Sequence, residues 1–295
     1  MPNNENHRTN RIGRHLPTSG GLKNTLQKAA EQECETIQIF VSNPQQWADP
    51  NPRPDAEAFI NGKDELGVYP LVAHAKYLIN LASKDEGQRG KSTNALAREL
   101  VAAGELGVDL VVVHSGSHGG EGEEKGMEHL VEGLDRAREL AAKFAGGSRT
   151  AEPLVENSCG AGTQLCSDLD TLASVLRRAD VRCCFDTCHA FVAGHDLSSP
   201  EAAKETGAEI REKLDGGIGL FHLNDARNSF GSRRDGHARI GEGEVPEESW
   251  TAFFGELPNI PVAMETPYAT PEVDADQIRK VKELVGGLRL RAGGL

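Results

Sequence analysis

The 295-residue chain has no stretch approaching the ~18–20 consecutive apolar residues that a bilayer-spanning helix needs. Its N-terminus, MPNNENHRTN, is polar and lacks the apolar core of a secretory signal. The six cysteines form no CxxC pair, and Cys183 and Cys184 are adjacent, which suits neither a disulfide framework nor a Cys-rich zinc site. They are expected to be small buried hydrophobes in a reducing, cytoplasmic setting. An excess of basic residues is also missing. The net charge of −13 excludes nonspecific polyanion binding over the whole surface. A local field can still differ, because bound divalent cations invert the charge at one site. Arg227, Arg233, Arg234 and Arg239 also fall close together. No linker, repeat or low-complexity tract divides the chain. Its length at ~150 residues per domain would suggest two, but barrels run to ~250 residues as one.

What is present is alternation. Eight short apolar runs recur: Arg11–Leu16, Thr36–Val41, Pro70–Ala75, Leu110–Ser115, Pro153–Asn157, Arg182–Thr187, Ile218–Asn224 and Pro261–Thr266. Several, such as LVVVHS and GLFHLN, are continuously apolar, as strands buried on both faces are. The segments between them carry helical periodicity, as in Gly21–Glu33, Lys91–Leu106 and Glu123–Phe144. Gly107, Gly146 and Gly147 mark helix ends, and Pro200 marks a helix start. Eight strands alternating with eight helices predict an α/β fold, a single-domain (β/α)8 TIM barrel over residues 11–288. Residues 1–10 are expected to be a disordered lead-in and residues 289–295 a frayed, Gly-rich tail.

The ends of these runs carry the chemistry. The third ends at His74, the fourth at His114, the fifth at Glu156, and the sixth at Asp186 with His189 three residues on. The seventh ends at His222 and the eighth at Glu265. In a barrel these C-terminal strand ends converge on one rim. A lone histidine after a strand is usually a satisfied polar residue, but six consecutive strands in register are not explained that way. Carboxylates and imidazoles crowded into one cleft need a cation among them. Mixed His and carboxylate ligation suits zinc, with manganese or iron as competitors. Asp235 and His237, in GSRRDGHARIGEG, can face the same way along an extended loop, and with His189 they make a further three-ligand set. Nine ligands divide among three metals if one carboxylate bridges. Paired metals ~3.5–4 Å apart clamp the oxygens of a phosphoryl displacement, which points to phosphoester cleavage rather than sugar isomerisation.

At these residues the sequence resembles the endonuclease IV family of apurinic/apyrimidinic endonucleases. The matching stretches are RIGRHLPTSGG, QIFVSNPQQW, HAKYLINLAS, VVHSGSH, VENSCGAGTQL, CFDTCHAFVAGHDL, HLNDARNSFGSRRDGHARIGEGEV and METP, from about Arg11 to Pro267. The resemblance implies a TIM barrel with three Zn2+ ions. It places His74 and His114 on one. Glu156 bridges to a second, held also by Asp186, His222 and Glu265. His189, Asp235 and His237 take the third. It implies hydrolysis of the phosphodiester 5′ to an abasic site in double-stranded DNA, leaving a 3′-hydroxyl, and trimming of blocked 3′ ends. Glu156 and Glu265 stand closest to catalysis, and a monomer is implied. The expected DNA contacts are Tyr77, Lys76, Gln45 and Arg233. Two departures touch the DNA side: Gln45 stands where the family often has an arginine, and Ala75-Lys76 replaces its Asp-Ser. Lys76 is expected to compensate through a phosphate contact. The alternatives are a sugar isomerase or epimerase on the same barrel, for which His189, Asp235 and His237 have no job, and a non-enzymatic lesion- or zinc-binding protein. A purely structural zinc role fits poorly, since no cysteine enters the set.

Overall fold

The computed structural model describes residues 10–286. The expected lead-in, apart from Asn10, and the expected tail lie outside the described residues. Eight parallel strands close into a barrel: β1 (Ile12–His15), β2 (Thr36–Ile39), β3 (Leu71–His74), β4 (Leu110–His114), β5 (Glu152–Glu156), β6 (Arg182–Asp186), β7 (Ile218–His222) and, after two short strands, β10 (Val262–Met264). Each falls within one residue of an expected run. The order around the barrel is β1-β10-β7-β6-β5-β4-β3-β2. The outer layer holds α1 (Leu22–Glu31), α2 (Ala56–Glu65), α3 (Glu86–Glu105), α4 (Glu123–Ala145), α5 (Leu169–Ala179), α7 (Pro200–Lys213), α8 (Glu247–Gly255) and α9 (Pro271–Gly286). None of the described helices is long and apolar enough to cross a membrane.

Local chemistry sets the helix ends. α3 begins five residues before the apolar periodicity because the Asp85 carboxylate accepts from Gln88 N at 2.7 Å. Ser199 caps α7, whose first residue is Pro200. α4 stops at Gly146, which takes φ 56°. Two elements exceed the eight-and-eight expectation. A seven-residue helix, α6 (Thr187–Ala193), starts directly from the end of β6. A two-stranded antiparallel sheet joins β8 (Asp225–Ala226) to β9 (His237–Ala238), where the sequence suggests only an extended loop.

Side chains alternate across each barrel strand. One set faces the helices and forms the large core. The other fills the barrel interior with Val72, Leu110, Val112, Leu154, Cys184, Leu220 and Ala263. Continuing two residues along five of those strands leads from Val72 to His74, Val112 to His114, Leu154 to Glu156, Cys184 to Asp186 and Leu220 to His222. The same step after β10 leads from Ala263 to Glu265. An apolar floor therefore underlies a ring of ligand-type side chains, because strand periodicity forces both onto the inner face.

Gly13 shows how tightly the first two strands approach. A Cβ there would lie 1.6 Å from the Thr36 carbonyl oxygen, itself paired in register with Gly13. Gly13→Ala is expected to cost at least about 1–3 kcal/mol through overpacking of the sheet, read as a lowered midpoint in denaturant unfolding. An unchanged midpoint would contradict the close approach.

Candidate metal centre

All nine expected ligands meet at the C-terminal rim. They form three overlapping groups: His74, His114 and Glu156; then Glu156, Asp186, His222 and Glu265; then Asp186, His189 and His237, with Asp235 beside the last two. Glu156 belongs to two groups and presents a different oxygen to each. Its Oε2 lies 3.4 Å from His74 Nε2 and 3.3 Å from His114 Nε2, whereas Oε1 lies 2.8 Å from His222 Nδ1. Asp235 Oδ2 is 3.5 Å from His189 Nε2, and its Oδ1 is 3.3 Å from His237 Nε2. Asp186 Oδ2 is 3.6 Å from His237 Nε2.

Apart from the 2.8 Å His222–Glu156 hydrogen bond, these separations suit a cation better than hydrogen bonds. Donors about 2.0–2.2 Å from one tetrahedral centre stand about 3.4 Å apart. Glu156 Oε2 and His237 Nε2 are buried and make no hydrogen bond, a costly condition for polar atoms unless something else satisfies them. The residues present thus fit divalent metal, and their nitrogen and oxygen donors suit zinc.

Supporting hydrogen bonds fix which imidazole nitrogen is offered. His74 Nδ1 donates to Ala75 O at 2.7 Å, His189 Nδ1 to Asn157 O at 2.9 Å and His237 Nδ1 to Glu265 O at 3.4 Å, leaving Nε2 free in each. His222 is reversed: its Nε2 donates to Gln38 Oε1 at 2.8 Å, so Nδ1 faces Glu156. The Gln38 amide nitrogen donates to Glu265 Oε1 at 2.6 Å and to His15 Nδ1 at 3.1 Å. His15 and Gln38 are the inward polar residues of β1 and β2. They were missed at the sequence level, though each sits near the end of an apolar run like the other six.

The two unexpected elements place the third group. Asp186 ends β6 and caps α6, its Oδ1 accepting from His189 N at 2.7 Å, so that the first turn swings His189 over the rim. The β8–β9 pair, with Ala226 opposite His237, pins the far end of the Arg-rich loop. The Cys188 thiol donates to Gly236 O at 3.6 Å and braces the same loop. All six cysteines are free and buried, and burial pushes the Cys184 and Cys188 thiols upward. The Cys184 sulfur nonetheless lies within reach of Glu156 and His222, and the Cys188 sulfur within reach of Asp235 and His237.

Without metal the centre compensates with protons. Burial lowers the His222 pKa, but Glu265 and Glu156 outweigh it and hold the ring at about 9, with both nitrogens facing acceptors. Burial alone would raise Glu265, yet His222 and His74 bring it to about 2. His114 is lowered by burial to about 4.

The expected DNA contacts divide. Tyr77 is half-exposed on the rim, stacked 5.9 Å from the His114 ring. Gln45 and Arg233 are exposed. Lys76 is a correction. It is 3% exposed, and its Nζ pairs with Glu99 Oε1 of α3 at 2.9 Å and reaches Ser42 Oγ. Glu99 also accepts from Lys76 N at 3.0 Å and from Ser42 Oγ. The chain turns inward at Ala75-Lys76, so the ammonium ties α3 to the loops after β2 and β3. Arg239 is likewise engaged, with the carbonyls of Pro267 and Tyr268.

Two outcomes follow. Lys76→Met is expected to cost about 3–5 kcal/mol by stranding Glu99, with partial recovery in Lys76→Met/Glu99→Leu. The slope of log DNA affinity against log salt should stay unchanged; a slope shallower by about 0.9 would restore the phosphate contact. Second, the raised His222 stabilises the metal-free fold fully below its unfolded pKa of about 6.5, and this contribution is lost as pH rises through about 9. Thermal unfolding between about pH 6 and about pH 9 should therefore fall more steeply for metal-free than for metal-loaded protein, and equal slopes would refute this.

The centre lines a cleft of ≈ 730 Å³ among His15, Phe40, Tyr77, Arg227, Pro267 and Tyr268. Among known proteins, the family model described as "Xylose isomerase-like TIM barrel" matches residues 26–288. A relative named "Probable endonuclease 4" from Haloarcula marismortui is 37% identical, over 94% of this chain and 99% of its own. The solved endonuclease IV from Thermus thermophilus superposes with a TM-score of 0.80 at 30% identity, covering 94% of this chain and 99% of that one. A D-tagatose 3-epimerase-like protein shares the fold at TM-score 0.68 and 20% identity, covering 95% of this chain and 99% of that one. With full-length relatives at this identity and a rim that carries every ligand position of the resemblance, the chain belongs to the endonuclease IV family.

Proposed function

We propose that the protein is a DNA-repair hydrolase that cuts the phosphodiester 5′ to abasic sites, with three zinc ions at the rim, and that it also trims blocked 3′ ends. The observation that carries this reading is the doubly shared Glu156, whose two oxygens face two separate donor groups, buried beside a cleft lined by His74, His114, His189, His237 and Glu265. Relatives named as endonuclease 4 add support. When bound, the cations supply charge neutralisation on the phosphate and activation of water.

The chain's own residues do the rest. Glu156, buried, and Glu265, partly buried, lie among histidines, stay ionised and set the negative charge that holds the cations. Gln38 fixes Glu265 and His222 relative to each other. His15 accepts at Nδ1 from Gln38, and burial holds it neutral with a pKa of about 4, so its Nε2–H is a donor on the cleft wall. Arg227 on the cleft wall and the exposed Arg233 of the following loop attract phosphate despite the acidic surface elsewhere. Tyr77 and Gln45 stand on adjacent rim loops, where side chains that open a duplex at a lesion would be needed.

Sugar epimerases share the barrel, but a one- or two-metal isomerase has no use for His189, Asp235 and His237 together. The test is cleavage of a labelled duplex bearing one tetrahydrofuran abasic analogue, which cannot undergo β-elimination. Metal-loaded wild type is expected to cut on the 5′ side and leave a 3′-hydroxyl. Glu156→Gln and Asp235→Ala should each lose at least about 100-fold in kcat through lost electrostatic support. No cleavage by fully loaded wild type would move the assignment to sugar chemistry. Near-normal cleavage by either variant would remove that residue from the mechanism.

A further inference from the structure

The segment after Glu265 is held more firmly than ligand placement alone requires. Three successive carbonyls are each taken by an arginine. Thr266 O accepts from Arg14 Nη2 at 3.0 Å, Pro267 O from Arg239 Nε at 3.2 Å, and Tyr268 O from Arg239 Nη2 at 3.1 Å. The next residue, Ala269, donates its N–H to Asp274 Oδ1 at 3.2 Å. That carboxylate also pairs with Arg14 Nη1 at 2.6 Å. Arg14 is 1% exposed, and a buried arginine carries a large desolvation cost that its partners must offset.

What this framework presents is Tyr268. The Arg14 guanidinium carbon lies 4.5 Å from the ring centroid, backing one side of the ring. The hydroxyl donates to His15 O at 2.7 Å. The ring is thus tethered at its edge and backed by a cation, yet the residue remains 51% exposed and lines the cleft with His74, His114, His189, His237 and Glu265. It stands across β1 and β2 from Tyr77, which follows β3. A large exposed aromatic usually gains stability from burial. One that is pre-fixed and left open beside a reaction centre loses little entropy when a flat partner covers it.

We propose that Tyr268 is a stacking platform for a nucleobase next to the scissile position, a second aromatic wall of the cleft facing the metal centre. The partner's chemistry is a planar, uncharged heteroaromatic ring, since base–aromatic stacking is sequence-tolerant and does not need hydrogen-bond readout. Arg14 and Arg239 act as positioning residues through the backbone of residues 266–268. This inference rests on the nuclease reading.

The experiment uses metal-loaded wild type, Tyr268→Ala, Tyr268→Leu and Tyr268→Phe, with metal content measured for each. The substrate is a duplex carrying the tetrahydrofuran analogue, with 2-aminopurine placed on either side of it in turn. Wild type and Tyr268→Phe are expected to quench 2-aminopurine at one position. Tyr268→Leu, which still covers Arg14, and Tyr268→Ala should lose that quenching and raise KM about tenfold or more, with a smaller change in kcat. Wild-type KM and quenching in Tyr268→Leu would overturn the platform while leaving the nuclease reading intact. Tyr268→Phe failing as badly as Tyr268→Ala would assign the effect to the hydroxyl tether and also overturn it. Fully loaded wild type that neither binds nor cuts the duplex would overturn the nuclease reading and the platform together.

Discussion

Glu156 lies in the barrel interior with His74 and His114 on one oxygen and His222 on the other, and one of those oxygens has no hydrogen bond. A carboxylate so placed is expensive, and its surroundings follow from that cost. The apolar floor of Val72, Val112, Leu154 and Leu220 keeps water out from below. The imidazoles counter the charge from the sides. Backbone carbonyls, Asn224 and Gln38 take further ring nitrogens and carboxylate oxygens of His74, His189, His222, Asp186 and Glu265, which orients those side chains. Protons on His222 offset this charge without metal, and cations offset it better.

The overall acidity and a polyanionic substrate are compatible because the relevant field is local. Arg227 lines the cleft, while the outer helices carry exposed ion pairs such as Lys125–Glu128 and Arg136–Glu139. Such exposed pairs contribute little to stability. The net charge of −13 disfavours nonspecific adhesion of intact duplex, so that affinity depends on what the rim can grip. A surface of this kind places more of the discrimination on rim side chains, and the exposed Tyr77 and Tyr268 are suited to it.

Much of this was legible in the sequence. Strand periodicity and the position of His74, His114, Glu156, Asp186, His222 and Glu265 at the ends of apolar runs state both the fold and its inner ring, because one geometric rule governs both. His15 and Gln38 obey the same rule, but a histidine in a Gly-Arg-His context and a neutral amide do not read as ligands. Lys76 was misread for a related reason. Its neighbours His74 and Tyr77 face the cleft, and only Glu99, more than 20 residues away in α3, determines that the ammonium turns inward. Long-range pairing of a buried charge leaves no local signal. Arg14 was unremarkable in sequence on the same grounds, its partner Asp274 lying 260 residues on.

The barrel itself does not decide the chemistry, since epimerase-like proteins share it. The first two donor groups stand at the ends of barrel strands or directly after them. The third depends on additions: a helix capped by a ligand, which lifts His189 above the rim, and a small β-pair that returns His237 to it. Asp186 links the two layers as helix cap, member of the second donor group and neighbour of His237 at once. A substitution there would disturb the backbone of α6 and two donor groups together. The third group therefore rests on the β6–α6 and β7–β9 connections and not on the barrel strands alone.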